Sequence, residues 1–227
     1  KMVKREAKGG PPLPSQVAEV VAEMLGRFEF LESAREGLEK SYRAIVKTYE
    51  AGGMFYLCGN GGSFADAIHI KGELTKSFMI RRSLTCGPVY ETLQATAEGR
   101  ELAEKLEPGF PVIVLGESHS IRSAYENDRD PVYSYAQELL SFAGHGQPGV
   151  LMGISTSGNA KNVTAALRVA KACGLATIGF TGPGGGRLAE IADIAWRVPG
   201  KNTPEIQENQ VVLYHALCRM VEGYFFG

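Results

Sequence analysis

The chain has 227 residues, 44% hydrophobic and 22% charged, a balance typical of a folded soluble domain and unlike that of a disordered segment. Its 24 basic and 25 acidic side chains leave a formal charge of -1, which argues against a protein built mainly to track a nucleic-acid backbone or an anionic membrane, a local patch aside. Glycine is over-used, at 28 residues, and where those glycines fall becomes the question.

The opening residues 1–14 mix charges, glycines and prolines without periodicity and read as a loose extension outside the folded domain, which is expected to span 15–227. No apolar run approaches 18 residues and no signal-peptide pattern opens the chain. The four cysteines show no CxxC spacing and read as reduced, mostly buried residues of a cytoplasmic protein. From 15 to 51 the pattern is a helical hairpin. Val17, Val20, Val21, Met24, Leu25 and Phe28 recur at helical spacing behind Ser15 as N-cap, and a second helix over 33–50 stops at Gly52-Gly53.

Residues 54–58 (MFYLC) are a short continuous apolar run, read as a buried strand. Gly59-Asn60-Gly61-Gly62-Ser63 follows, and then a helix over about 64–78 that Ser63 would cap. Residues 81–107 are the least regular; Leu93, Leu102 and Leu106 predict an extra helix, an insertion over the sheet edge. Further strands are expected at 111–115, 150–154, 175–180 and 193–198. Between and after them come helices over 118–127, 131–143, 160–173 and 203–226. Five apolar runs alternating with helices predict an α/β domain, a parallel sheet covered on both faces.

Loops after parallel strands are where such sheets bind ligands. Asn60, Gly61 and Ser63 in the first loop, and Ser155, Thr156 and Ser157 in the loop before Gly158-Asn159, offer backbone amides and hydroxyls to a phosphate at a helix N-terminus. Neither loop is a Walker loop or GxGxxG. Gly182 to Gly186 reads as a flexible turn. His69 and Glu73, four residues apart, share one helix face; they suit a divalent metal, a base with its orienting partner, or a plain solvent-exposed pair. Gln207 and His215 lie on the last helix, eight residues and about 12 Å apart, and cannot sit side by side on one row. His119 and His145 have no motif around them and read as surface or structural residues.

Together these features resemble the SIS (sugar isomerase) domain family and, within it, the phosphoheptose isomerases. The resemblance rests on Cys58-Gly59-Asn60-Gly61-Gly62-Ser63, on Asp66-Ala67-Ile68-His69 with Glu73-Leu74-Thr75, on Gly153 to Asn159, and on Ile206-Gln207-Glu208 with His215 and Cys218. It spans about 38–226. It implies a three-layer α/β/α sandwich with a five-stranded, flavodoxin-like parallel sheet, assembled as a homotetramer with active sites between subunits. The implied reaction converts sedoheptulose 7-phosphate to D-glycero-D-manno-heptose 7-phosphate through an enediol, without a nucleotide cofactor. Glu73 and His215 match the acid/base pair. Asn60, Gly61, Ser63, Ser155, Thr156, Ser157 and Gln207 match the phosphate and sugar contacts, and His69, Glu73, Gln207 and His215 match a zinc site. Three positions depart from the family pattern: Ala160 where a serine closes the second loop, and Pro204 and Glu117 where aspartates are usual. A non-catalytic phosphosugar-binding or regulatory protein is the competing reading; retention of both the His69/Glu73 and Gln207/His215 pairs favours an enzyme. The near-neutral charge gives no support to direct nucleic-acid binding.

Overall fold

The computed structural model describes residues 12–227. Five strands, β1 (Met54–Gly59), β2 (Val112–Val114), β3 (Gly149–Ser155), β4 (Ala176–Thr181) and β5 (Ile194–Arg197), pair in parallel in the order β2-β1-β3-β4-β5. This is the flavodoxin-like order, whose switch point lies between β1 and β3. The helices are α1 (Ser15–Arg27), α2 (Arg35–Glu50), α3 (Gly62–Thr75), α4 (Pro88–Leu93), α5 (Ala97–Lys105), α6 (His119–Asp128), α7 (Ser134–Ala143), α8 (Lys161–Ala172), α9 (Gly186–Ile191) and α10 (Thr203–Phe226). Of the expected N-terminal extension, residues 1–11 lie outside the described residues.

Strand side chains alternate between two apolar layers, which is why the strands read as unbroken apolar runs. Phe55, Leu57, Met152, Ile154 and Phe180 pack with α1, α2, α3 and α10 through Leu38, Ile45, Ile70 and Leu213. Tyr56, Cys58 and Leu151 pack with α7 and α8 through Leu139, Val163 and Leu167. Trp196 of β5 stacks on Phe180 at 4.2 Å between ring centroids.

Several boundaries differ from expectation, each for a local reason. Helix α1 starts at Ser15 itself, with Pro14 as N-cap. A 3-10 turn over Glu29–Ala34 separates it from α2. Helix α3 starts two residues early, because Gly61 (φ 54°) makes the turn; Ser63 lies inside the helix, buried, and caps nothing. The same helix ends at Thr75 rather than 78, because the N–H groups of Phe78, Met79 and Ile80 are taken by the Glu222 carboxylate of α10. Residues 81–107 form two short helices, α4 and α5, instead of one, and Leu102 and Leu106 stay exposed. Pro204 sits in the first turn of α10, where its missing N–H costs nothing, behind an Asn202 side chain that accepts from Glu205 N at 3.0 Å. All four cysteines are free; Cys58 and Cys218 are buried, but Cys86 is exposed, contrary to the general expectation of burial. Among the described residues no helix is long and apolar enough to cross a membrane.

Candidate active site

Helices α3 and α10 run side by side in the same direction, and their contacts advance together along both. At the start of α3, a Cβ on Gly62 would overlap the Gln207 carboxamide. Two turns further on, His69 meets Tyr214 and His215. His69 Nε2 lies 3.0 Å from Glu73 Oε1 and 3.4 Å from His215 Nε2, and one donor atom from each of the three residues falls within 4.8 Å of the others. The helical i,i+4 spacing places Glu73 under His69, and the packing of α10 delivers His215, 146 residues away in sequence. Gln207 is not brought to this group within one chain; it lies about 12 Å back along α10, against the first turn of α3.

The cluster is open on one side. The His69 side chain is 44% exposed and that of Glu73 17%, so both can meet a small molecule. Burial holds the His215 pKa below the ordinary histidine value, and the neighbouring His69 adds to that shift while Glu73 opposes it. Behind His69, the Tyr214 hydroxyl lies 2.8 Å from Nδ1 and 3.4 Å from Asp66 Oδ1. Burial pushes the Asp66 pKa up to about 6, against the lowering effect of Tyr214 and His69.

The two glycine-hydroxyl loops lie at the C-terminal ends of the adjacent strands β1 and β3. The first is tied down by the Tyr135 hydroxyl, which donates to Gly59 O at 2.6 Å, and by a reciprocal amide pair between Asn60 and Asn162 at 2.9 and 2.8 Å. In the second, Ser155 is buried, Thr156 half-buried and Ser157 exposed. Gly158 (φ 67°) lets this loop press its backbone on Gly185, where a Cβ would overlap the Gly185 carbonyl. The contact is bonded throughout: Gly182 N donates to Thr156 O, Leu188 N to Gly158 O, and Arg187 N to Asn159 Oδ1, at 2.8 to 3.0 Å. The third glycine cluster, read from sequence as a flexible turn, is thus a buttress for the second loop.

A cavity of about 480 Å³ opens between the first loop and the start of α8. It is lined by Asn60, Gly61 and Phe64 on one side, Ala160, Lys161 and Asn162 on another, and Arg122, Glu126 and Tyr135 from α6 and α7. Ser63, Ser155, Thr156 and Ser157 stand beside it without lining it, and the His69 cluster lies further along α3. Sequence reasoning missed Tyr135, Asn162, Lys161 and Arg122. The strand grammar places the ends of β1 and β3 together, but no local pattern announces which side chains of α6, α7 and α8 reach them. Glu117 forms an ion pair with Lys71 of α3, so its longer side chain is used structurally. His119 and His145 are exposed, the first of the two alternatives read for them.

A parallel sheet with hydroxyl-rich loops at its switch point, and a His-Glu-His group on the neighbouring helix pair, is an arrangement suited to a small anionic ligand. Residues 18–102 and 91–182 match the SIS domain. A phosphoheptose isomerase of Burkholderia pseudomallei is 34% identical over 213 residues, covering 94% of this chain and 92% of that one. That of Aliarcobacter butzleri is 36% identical over 195 residues, 85% and 88% of the two chains. Among solved structures, the phosphoheptose isomerase of Neisseria gonorrhoeae superposes with a TM-score of 0.66 at 26% identity, over 90% of this chain and 94% of its own. The enzyme from Francisella tularensis gives 0.63 at 25%, over 88% and 97%. The chain belongs to the SIS domain family, in its phosphoheptose isomerase branch.

Proposed function

We propose that this chain is an aldose–ketose isomerase that interconverts sedoheptulose 7-phosphate and D-glycero-D-manno-heptose 7-phosphate. The observation that carries the reading is the meeting of His69, Glu73 and His215 between α3 and α10, beside two loops suited to a phosphate. The near-full-length similarity to phosphoheptose isomerases supports the substrate. In this reading the loop amides and the hydroxyls of Ser63, Ser155, Thr156 and Ser157, with Asn60, Gly61 and Gln207, bind the phosphate and the sugar hydroxyls. Glu73 takes the C1 proton of the ketose and returns it at C2. His215 gives a proton to the carbonyl oxygen and takes one from the neighbouring hydroxyl, so the enediol never carries a full charge.

The donor set of two imidazoles and one carboxylate fits zinc. His69, Glu73 and His215 would hold it, with Gln207 as a fourth ligand only if another subunit supplies it. Zinc bound there would polarise the substrate carbonyl. The reading includes a homotetramer with sites between subunits, supported by exposed apolar side chains on and just after α3, Ile68 (42%) and Met79 (65%). It also includes a single SIS domain over 15–227 and a cytoplasmic location.

A coupled isomerisation assay over a panel of ketose 6- and 7-phosphates, with and without zinc, tests this. Turnover is expected to be highest with the heptose 7-phosphate and to be accompanied by exchange of the C1 proton with solvent. Absence of exchange with every ketose phosphate would overturn the reading in favour of a phosphosugar-binding protein.

A further inference from the structure

The two ring nitrogens of His69 face different worlds. Nε2 points to Glu73 and His215, on the open side of the cluster. Nδ1 meets the Tyr214 hydroxyl at 2.8 Å, and Tyr214 is buried, 1% exposed. A neutral imidazole carries one proton, and the partner of one nitrogen decides what the other can do. A tyrosine hydroxyl can donate or accept, so the decision passes to whatever else holds it. Here that is Asp66 Oδ1, at 3.4 Å.

Asp66 is itself anomalous. It is 9% exposed on the core-facing side of α3, its Oδ2 has no hydrogen-bond partner, and its one hydrogen bond through Oδ1 goes to Tyr214. A buried carboxylate held this loosely contributes little to packing, and an apolar side chain would fill the place at lower cost. What it does supply is an acceptor for the Tyr214 proton.

We propose that Tyr214 and Asp66 are positioning residues that pull the tautomer of His69 toward Nδ1–H, so that Nε2 can present its lone pair to a cation held with Glu73 and His215. The inference rests on the reading of the His69 cluster as the working site. Two arrangements of the same protons compete. In one, Tyr214 donates to Nδ1 and His69 donates from Nε2 to Glu73, which leaves no lone pair for a metal ion or a substrate proton. In the other, Tyr214 donates to Asp66 and His69 donates from Nδ1 to Tyr214, and the Nε2 lone pair faces the Glu73 carboxylate at 3.0 Å, a repulsion that a bound cation removes. The ring exchanges one proton between its nitrogens through solvent at the exposed Nε2, Tyr214 keeps its own proton and only rotates, and nothing else changes. Asp66 stabilises the second arrangement because it gives the rotated hydroxyl an acceptor. Outer partners of this kind are worth about 10- to 100-fold in metal affinity.

The test uses the full chain with 15N-labelled histidine; with four histidines, His69 is assigned by comparison with His69→Gln. Long-range proton–nitrogen NMR spectra read the tautomer in chelator-treated and zinc-loaded protein, and competition with a chromophoric chelator reads zinc affinity. Tyr214→Phe keeps the ring and removes the hydroxyl. It is expected to move His69 toward the Nε2–H form in chelator-treated protein and to weaken zinc binding by about 10- to 100-fold, with the thermal midpoint preserved. Asp66→Ala should shift the tautomer the same way, and Asp66→Asn, whose carbonyl oxygen still accepts, should restore most of the wild-type ratio. A wild-type tautomer ratio in both Tyr214→Phe and Asp66→Ala would overturn the proposal. If wild-type protein binds no zinc, the metal reading of the site fails by itself, and the tautomer ratio in chelator-treated protein still decides this one.

Discussion

Two polar clusters lie between α3 and α10, and they are built on opposite terms. The Arg82–Glu222 pair has no exposed side-chain surface. Glu222 accepts from three backbone amides and from the guanidinium, and Arg82 in turn donates to Leu74 O at 2.8 Å and lies 5.0 Å from the Phe110 and Phe226 ring centroids. Two turns of α10 away, the His69 cluster is half open, sets two imidazole nitrogens 3.4 Å apart, and leaves Asp66 Oδ2 without a partner. A fully satisfied buried network holds a backbone in one place. A partly satisfied one keeps groups available, and such local violations mark where a fold does its chemistry. The comparison assigns anchoring to one cluster and leaves the other with the groups that the proposed reaction needs, and mutations should separate the two.

The largest effect is expected in the open cluster. Glu73→Gln preserves size and removes the proton acceptor, so turnover should fall by about 10²- to 10⁴-fold. Binding of the phosphosugar and the denaturation midpoint should change little. Steady-state kinetics and a urea titration on the same preparation check both halves; retained turnover would move the base elsewhere. The anchoring cluster should respond in the opposite way. Arg82→Met leaves the buried Glu222 carboxylate with its backbone amides but without its counter-charge, for a loss of about 3 to 5 kcal/mol in unfolding free energy. Replacing both partners with apolar residues should not restore it, because the amides of Phe78, Met79 and Ile80 would then lose their acceptor. Wild-type stability in Arg82→Met would remove the distinction between the clusters.

The same contrast explains what could be read from sequence. Strands buried on both faces announce themselves as apolar runs, and the loop after each follows from glycine and hydroxyl content; the β2-β1-β3-β4-β5 order matches the expected flavodoxin-like fold. The His69/Glu73 pair is legible because helical spacing is a local rule. Arg82 and Glu222 are 140 residues apart, and neither sits in a pattern that distinguishes it from a surface charge. Tyr214 looks like one more core aromatic of α10, and only the contact with α3 turns its hydroxyl toward His69. The error over Ser63 has the same origin: a serine before a helix resembles a cap unless the left-handed turn at Gly61 is known.

The glycine buttress gives a middle-sized effect. Gly158→Ala forces a side chain onto a left-handed backbone and into the Gly185 carbonyl, so a loss of about 2 kcal/mol or more is expected. The second loop should also be displaced, and the apparent affinity for the phosphosugar should fall more than kcat. Equal losses in the two parameters would argue that the loop positions the reaction as well as the ligand.

The smallest effect is the most diagnostic, because its sign separates the clusters. The Asp66 pKa is raised by burial from 3.8 to about 6, so the folded state binds this proton more tightly than the unfolded chain does. Its contribution to stability is therefore present below about pH 4 and is lost as pH rises through about 6. A shift of that size corresponds to ~3 kcal/mol without screening, and the open side of the cluster reduces the expected cost at neutral pH to about 1 to 2 kcal/mol. Asp66→Asn removes the titration, so in the presence of a chelator it should be more stable than wild type at pH 7.5 and close to it at pH 4. Urea titrations of both proteins at pH 4, 6 and 7.5 measure the difference directly. A variant less stable than wild type at pH 7.5 would show that Asp66 is a satisfied anchor like Glu222, and the open cluster would then lose its defining feature.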